Sequence, residues 1–165
     1  MEYRGLSVAG PIVVGVVYSL FVIVLSLLRP NAGRVFLGFF FVAMGIGVNV
    51  TFLLTQPSFV FDYGREAWLP LYRTLTESVI ALSPTAFGIL LILFEVAMGL
   101  SLLNKGVWVK VGLIGTMIFV LALVPIHIAQ IAWAGSVLAN VYLLTKSFDT
   151  GFVAMIRERV RRKKE

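Results

Sequence analysis

In this chain of 165 residues, 59% are hydrophobic and 13% charged, and the mean hydropathy is +0.98, which leaves too little polar surface to clothe a soluble core. The apolar side chains therefore face lipid, and the absence of cysteine excludes disulfides, thiolate nucleophiles and Cys-ligated zinc or iron–sulfur sites. The formal charge of +6 comes from 14 basic and 8 acidic residues, and where they fall along the chain is a topology signal rather than a nucleic-acid one.

The predicted fold is an all-α membrane bundle of five transmembrane helices, one domain over residues 1–148, followed by a basic tail over 149–165. The apolar run from Leu6 to Leu28 ends in Arg29-Pro30-Asn31 without a small-x-small cleavage site, so it reads as a retained span rather than a signal peptide. Its regular helix, 11–28, starts at Pro11, where a missing N–H costs nothing, and would cover about 27 Å. Turn residues Pro30-Asn31-Ala32-Gly33 precede a second span at 35–54, closed before Gln56-Pro57. Asp62, Arg65, Glu66, Arg73 and Glu77 then place the following segment outside the hydrocarbon. Within it Trp68, Leu71, Tyr72, Leu75, Val79 and Leu82 recur every three or four residues, the pattern of an amphipathic helix that lies at the interface or caps the bundle, with Pro70 tolerated only near its first turn.

The third span, 86–103, is stopped by Asn104-Lys105-Gly106. From Val107 to Leu144 a single helix would be about 57 Å long, nearly twice the hydrocarbon thickness. Pro125, with His127 and Gln130 beside it, divides this stretch into a fourth span at 109–128 and a fifth at 130–147. Five spans put Arg29, Arg34, Lys105, Lys110, Lys146 and the six bases from Arg157 to Lys164 on one side, and only Arg4, Arg65 and Arg73 on the other, eleven against three. Four spans would set the tail against the other loops. The positive-inside rule then predicts a cell-membrane protein with its N-terminus outside and its C-terminus cytoplasmic. In the tail, Phe152, Met155, Ile156 and Val160 share a helical face with bases around it, an arrangement that rests on anionic lipid headgroups and does not call for nucleic acid.

Small residues four apart let helices approach closely. They occur as Ala43 and Gly47 on span two, Gly112 and Thr116 on span four, and Gly135 and Ala139 on span five, which adds the row Ala132, Ser136 and Asn140. Span one is poorer in them and is expected at the periphery.

Two stretches carry a family resemblance. Arg34-Val-Phe-Leu-Gly38-Phe-Phe-Phe41-Val-Ala-Met-Gly45 resembles the opening of the first helix of the DoxX-like membrane family, and Phe94-Glu95-Val-Ala-Met-Gly99-Leu-Ser-Leu-Leu resembles its second. The length of the intervening loop, the proline before span three and Val109-Lys110 at the start of the next helix also fit. The likeness covers about residues 34–148, leaving span one as an addition to a four-helix unit. It implies a small helical bundle that serves as a membrane subunit or binds a lipophilic molecule, in a family associated with quinone-linked sulfur oxidation and oxidant resistance. Where that family often carries a lysine, this chain has Val48 and Asn49, so an ion pair from there to the glutamate is ruled out.

The chemical candidates are the polar groups inside the spans. Glu95 leads, because an ionised carboxylate at mid-membrane is expensive and must be protonated, paired or beside a wet cavity. Depth along the spans gives it Thr116 and Asn140 as neighbours, with Asn49, His127 and Gln130 nearer the outer face, together a polar shaft leading down to Glu95. A structural hydrogen bond for Glu95 and simple solvation for His127 are the competing readings. One histidine and one intramembrane carboxylate at different depths do not make a metal site. The expected protein is a non-catalytic membrane subunit or a binder of a lipophilic ligand, with a bound quinone or lipid as its only non-protein group, functioning within a membrane complex or as a homo-oligomer. A membrane enzyme with Glu95 as proton donor is the alternative, and a proton-coupled transporter is the weakest, since the chain lacks inverted repeats and further ionisable groups in its spans.

Overall fold

The computed structural model describes residues 9–162, and all regular structure among them is helical. Arg4, Lys163 and Lys164, which enter the charge count, lie outside the described residues. Helix α1 spans Ala9–Leu28 and α2 spans Pro30–Ala43, which runs on through a π-helical segment, Met44–Asn49, into α3, Val50–Thr55. Two short helices follow, α4 (Phe59–Arg65) and α5 (Pro70–Ser78). After them come α6 (Pro84–Leu103), α7 (Val107–Leu123), α8 (Gln130–Ala134), α9 (Ser136–Leu144) and the tail helix α10 (Phe152–Arg161). Three of the helical runs, Ala9–Leu28, Pro30–Thr55 and Pro84–Leu103, are long and apolar enough to cross a membrane, and α7 and the α8–α9 pair are shorter apolar helices.

Several boundaries depart from the expectation for local reasons. Pro30 occupies the first turn of α2, where a proline lacks only an N–H that would be unpaired anyway. The supposed turn 30–33 is therefore helix, and α1 meets α2 across Arg29 alone. Gly33 makes this hairpin possible, since a Cβ there would run into Ser26. Helix α7 ends at Leu123 instead of continuing to residue 128, because Pro125 has no N–H to donate to the carbonyl four residues back and its ring crowds that carbonyl; Val124 keeps helical backbone and the chain goes on in tighter turns, with Ile126 N–H donating to the Leu123 carbonyl at 3.0 Å. The predicted loop helix is split. Trp68 precedes α5 and ties the loop to the α7 end, donating from Nε1 to the Val124 carbonyl at 2.9 Å. The side chain that α5 buries is Thr76, seated on Gly64 of α4, while Leu71, Leu75, Val79 and Leu82 are exposed. The apolar face thus points away from the bundle instead of capping it.

The apolar helices close a ring. Helix α1 packs on α2, α2 on α6, α6 on α7, α7 on α9, and α8 and α9 return to α1. Span one is therefore wedged into the bundle. It buries Gly15, Ser19, Val22 and Ser26, a stripe of mostly small residues that the composition of the span concealed. Ser19 donates to the Ala132 carbonyl at 2.7 Å, and a Cβ on Gly135 would lie 3.0 Å from that of Ser19, so Gly135 and Ala139 do face protein. Gly112 and Thr116 are also buried. Ala43 and Gly47 are not, and Gly47 faces open space. Beyond Gly33, the glycines of this helix that pack are Gly38 and Gly45. A Cβ on Gly99 would sit 2.7 Å from the Gly38 carbonyl oxygen, and one on Gly38 would sit 2.9 Å from that of Gly99.

One end of the ring is solid. Val22, Leu37, Leu102, Val109, Leu113, Ala139, Leu143 and Phe148 form its core. Beside them Arg34 is wholly buried, although its charge was expected in a solvated loop. Its guanidinium donates to the carbonyls of Leu102 (3.0 Å), Asn104 (2.6 Å) and Thr150 (2.5 Å), its Nε donates to Asn31 Oδ1 (3.0 Å), and the Phe148 ring lies 4.9 Å away. The first two carbonyls belong to the C-terminal end of α6, where backbone acceptors lack helical partners and the helix dipole is negative. That end stabilises a cation that would otherwise be very costly to bury.

The α2–α6 contact yields a paired prediction. Gly99→Leu must force the backbones apart and should cost about 1–3 kcal/mol of stability, whereas Gly47→Leu should be neutral or stabilising. Thermal melts of both variants in detergent check this.

Candidate functional site

Glu95 lies on the face of α6 that also buries Gly88, Gly99 and Leu102, so the glycine contact with α2 fixes where it points. From Gly38 the facing helix continues through Phe41 and Gly45 to Asn49, all buried. Four residues of α-helix overshoot a full turn by about 40°, whereas four residues of π-helix, at about 4.4 per turn, fall short by about 30°. The π segment therefore cancels the drift of a four-residue stripe and returns Asn49 to the α6 side. Its wider turns also rise less per residue, keeping Asn49 nearer the level of Glu95. Asn49 Nδ2 donates to Glu95 Oε2 at 2.5 Å, and Glu95 is 3% exposed.

This pair borders a partly open cavity of about 590 Å³ lined by α1, the α2–α3 helix, α4, α6, α7, α8 and the start of α9, a size ordinary for small-molecule sites. Much of the wall is aromatic. Tyr18 lies 4.4 Å from Phe40 and 4.9 Å from Trp133 between ring centroids, and Phe41 lies 5.8 Å from Phe119. On the α4 side Asp62, Tyr63 and Glu66 contribute, and Asp62 accepts a hydrogen bond from Ser58 (2.6 Å).

Of the six predicted site residues, Glu95, Asn49 and Gln130 border this cavity. Thr116 and Asn140 form a separate pair, with Asn140 Nδ2 donating to Thr116 Oγ1 at 3.1 Å, and neither is among the cavity's bordering residues. Glu95 thus faces Asn49, not Asn140 or Thr116, and the depth ranking failed because it assumed uniform α-helix along span two. His127 also stays off the wall. Its Nδ1 accepts the Ala129 N–H at 3.1 Å, stabilising the turn into α8, and its ring lies 6.4 Å from that of Tyr63. The aromatic wall and the α4 carboxylates were missed. Eight aromatic side chains border the cavity, but rings spread over several spans make no local pattern, and Asp62 and Glu66 read simply as loop charges. No cluster of three or more metal-ligating side chains occurs among the described residues.

Compared with protein-family models, curated proteins and solved structures, the chain matches none. The functional reading therefore rests on the site itself.

Because Asn49 and Glu95 satisfy one another away from water, removing one should cost more than removing both. Glu95→Leu should lower stability by about 1–3 kcal/mol by orphaning the Asn49 amide, Glu95→Gln should be nearly neutral, and Asn49→Leu combined with Glu95→Leu should recover part of the loss. Denaturation of these variants, Asn49→Leu alone and the wild type in one lipid–detergent mixture measures the coupling.

Proposed function

We propose that this protein is an integral membrane protein of five spans, N-terminus outside and C-terminus cytoplasmic, that binds a lipophilic small molecule between its helices. The single observation carrying the binding role is the cavity itself, apolar and aromatic over most of its wall with one buried carboxyl–amide pair at mid-helix depth. Such a site suits a ligand with a hydrophobic body and one polar head. The cyclic packing of α1, α2, α6, α7 and α8–α9, together with the basic bias of one set of loops, supports the five-span reading. The DoxX-like assignment is part of the proposal and rests on the two sequence stretches alone; their Gly38, Gly45, Glu95 and Gly99 lie at the α2–α6 contact. A quinone is the occupant that resemblance implies. Phe152 packs on Phe39 at 4.9 Å while Val153, Ile156, Val160 and the tail arginines are exposed, an arrangement suited to a helix on an anionic leaflet.

Detergent-free extraction into polymer nanodiscs, followed by mass spectrometry of the extracted small molecules, tests the binding role. The wild type should carry a lipophilic molecule in near-stoichiometric amount, and Val120→Trp, which crowds the cavity, should carry much less of it while remaining folded. Equal recovery from both proteins, or none from the wild type, would refute the assignment. For topology, cysteine at Ser83 should react with an impermeant thiol reagent on intact cells and cysteine at Lys105 should not.

A further inference from the structure

The residues bordering the cavity divide by exposure. Every one of them on α6, α7, α8 and α9 is buried or half-buried, whereas Pro11 on α1, Val48 and Phe52 on the facing helix and Tyr63 on α4 border the cavity and are exposed among the described residues. The mouth is therefore on that side, and the packing of α1 explains it. Helix α1 turns its small residues toward α8 and α9, where a Cβ on Gly15 would lie 2.8 Å from the Trp133 ring and Ser19 meets Gly135. Against the other arm of its hairpin it packs on α2, with Phe21 on Phe36 at 4.9 Å and Tyr18 on Phe40 at 4.4 Å, and it makes no extended contact with the Met44–Asn49 segment or α3. The two arms thus part beyond Tyr18 and Phe40. Helix α4 roofs the ring but is fastened elsewhere. It packs on α6, and the segment after it is tied to the end of α7 by Trp68 Nε1 on the Val124 carbonyl (2.9 Å) and Leu69 N–H on that of Pro125 (3.4 Å), with no extended contact to α1.

Pro11 and Val48 lie at matching distances from the Arg29 hairpin, about 27 Å along each arm, which is still within a hydrocarbon layer of about 30 Å. In the five-span arrangement the gap between them opens into lipid, in the leaflet nearer α4. A groove of apolar and aromatic side chains on the outer face of α1 and α2 leads toward it and shares Tyr18 with the cavity. We propose that the cavity takes its ligand sideways from that leaflet, through the gap between Pro11 and the Val48–Phe52 edge, so that the ligand is a molecule already dissolved in the bilayer. This rests on the reading of the cavity as a ligand site and assigns where its ligand comes from. Apolar solutes leave water for hydrocarbon, and the edges of the gap are themselves apolar.

The chain has no cysteine, so Pro11→Cys combined with Val48→Cys can be bridged across the gap by a bis-maleimide with a reducible spacer, in the full chain reconstituted in phosphatidylcholine nanodiscs. The probe is a trifluoromethyl phenyl diazirine, a small apolar photoreagent that dissolves in the bilayer, with labelled residues located by mass spectrometry. Helix α7 carries both readouts, because Phe119 borders the cavity while Ile118 is 62% exposed on its outer face. The unbridged protein should be labelled at both. Bridging should lower labelling of Phe119 severalfold and leave Ile118 unchanged, and reducing the spacer should restore Phe119. Labelling of Phe119 that is indifferent to the bridge would overturn the lateral route and keep the ligand site. Labelling of Ile118 without Phe119 in the unbridged protein would defeat both readings. Should the cysteine pair fail to fold or to bridge, Phe52→Ala, which widens the gap, should raise the ratio of Phe119 to Ile118 labelling, and an unchanged ratio would overturn the route.

Discussion

Two helix backbones touch at Gly38 and Gly99, and the register of everything above and below that contact follows from it. In lipid, apolar side chains gain little by leaving the solvent, so helices associate through close packing and interhelical hydrogen bonds. A Cβ on either glycine would lie under 3 Å from the opposite carbonyl oxygen, so only glycine permits this approach. Once it is made, the next turns of the two helices bring Gly45 against Ile92, Glu95 and Val96, and then Asn49 to the Glu95 carboxyl. The π segment is what lets a stripe of residues four apart stay on α6 over this distance. Where such a segment occurs inside an otherwise regular helix it commonly accompanies a site, and here it delivers the amide that pairs with the buried acid.

The two ends of the bundle are built on opposite principles. At one, Arg34 gathers the α6 C-terminus and the segment leading to α10 onto α2, and large aliphatic side chains fill the space between. At the other, α7 stops short at Pro125, α8 and α9 are offset at Gly135, and α4 folds across the opening, leaving a cavity instead of a core. The filled half fixes the helices that carry the aromatic wall of the hollow half, and so preorganises the cavity.

Much of this architecture was legible in hydropathy and charge, because both report on the lipid environment directly. The apolar runs, the break at Pro125 and the Asn104-Lys105-Gly106 stop are local signals, and each marks a helix boundary in the structure. The site was only half legible. Glu95 stands out as an acid in a span, and its partner could not be found by counting residues because the count presumes a constant rise and twist that the segment Met44–Asn49 does not keep. Arg34 was read as one more topology charge, since nothing local reveals that its acceptors are carbonyls 68 to 116 residues away. The small-residue stripe of α1 is diluted by valines and leucines facing outward, and Ala43 and Gly47, small residues four apart, face out of the bundle.

The account stands or falls on the Asn49–Glu95 contact, because the glycine register, the π segment and the acceptor at the cavity floor all meet there. Solid-state NMR of the protein in bilayers, with 15N in asparagine side-chain amides and 13C in glutamate carboxyls, measures it directly by dipolar recoupling. The account predicts strong dephasing of one amide nitrogen at hydrogen-bonding range, abolished in Glu95→Gln. Equal signals from the wild type and that variant would contradict it.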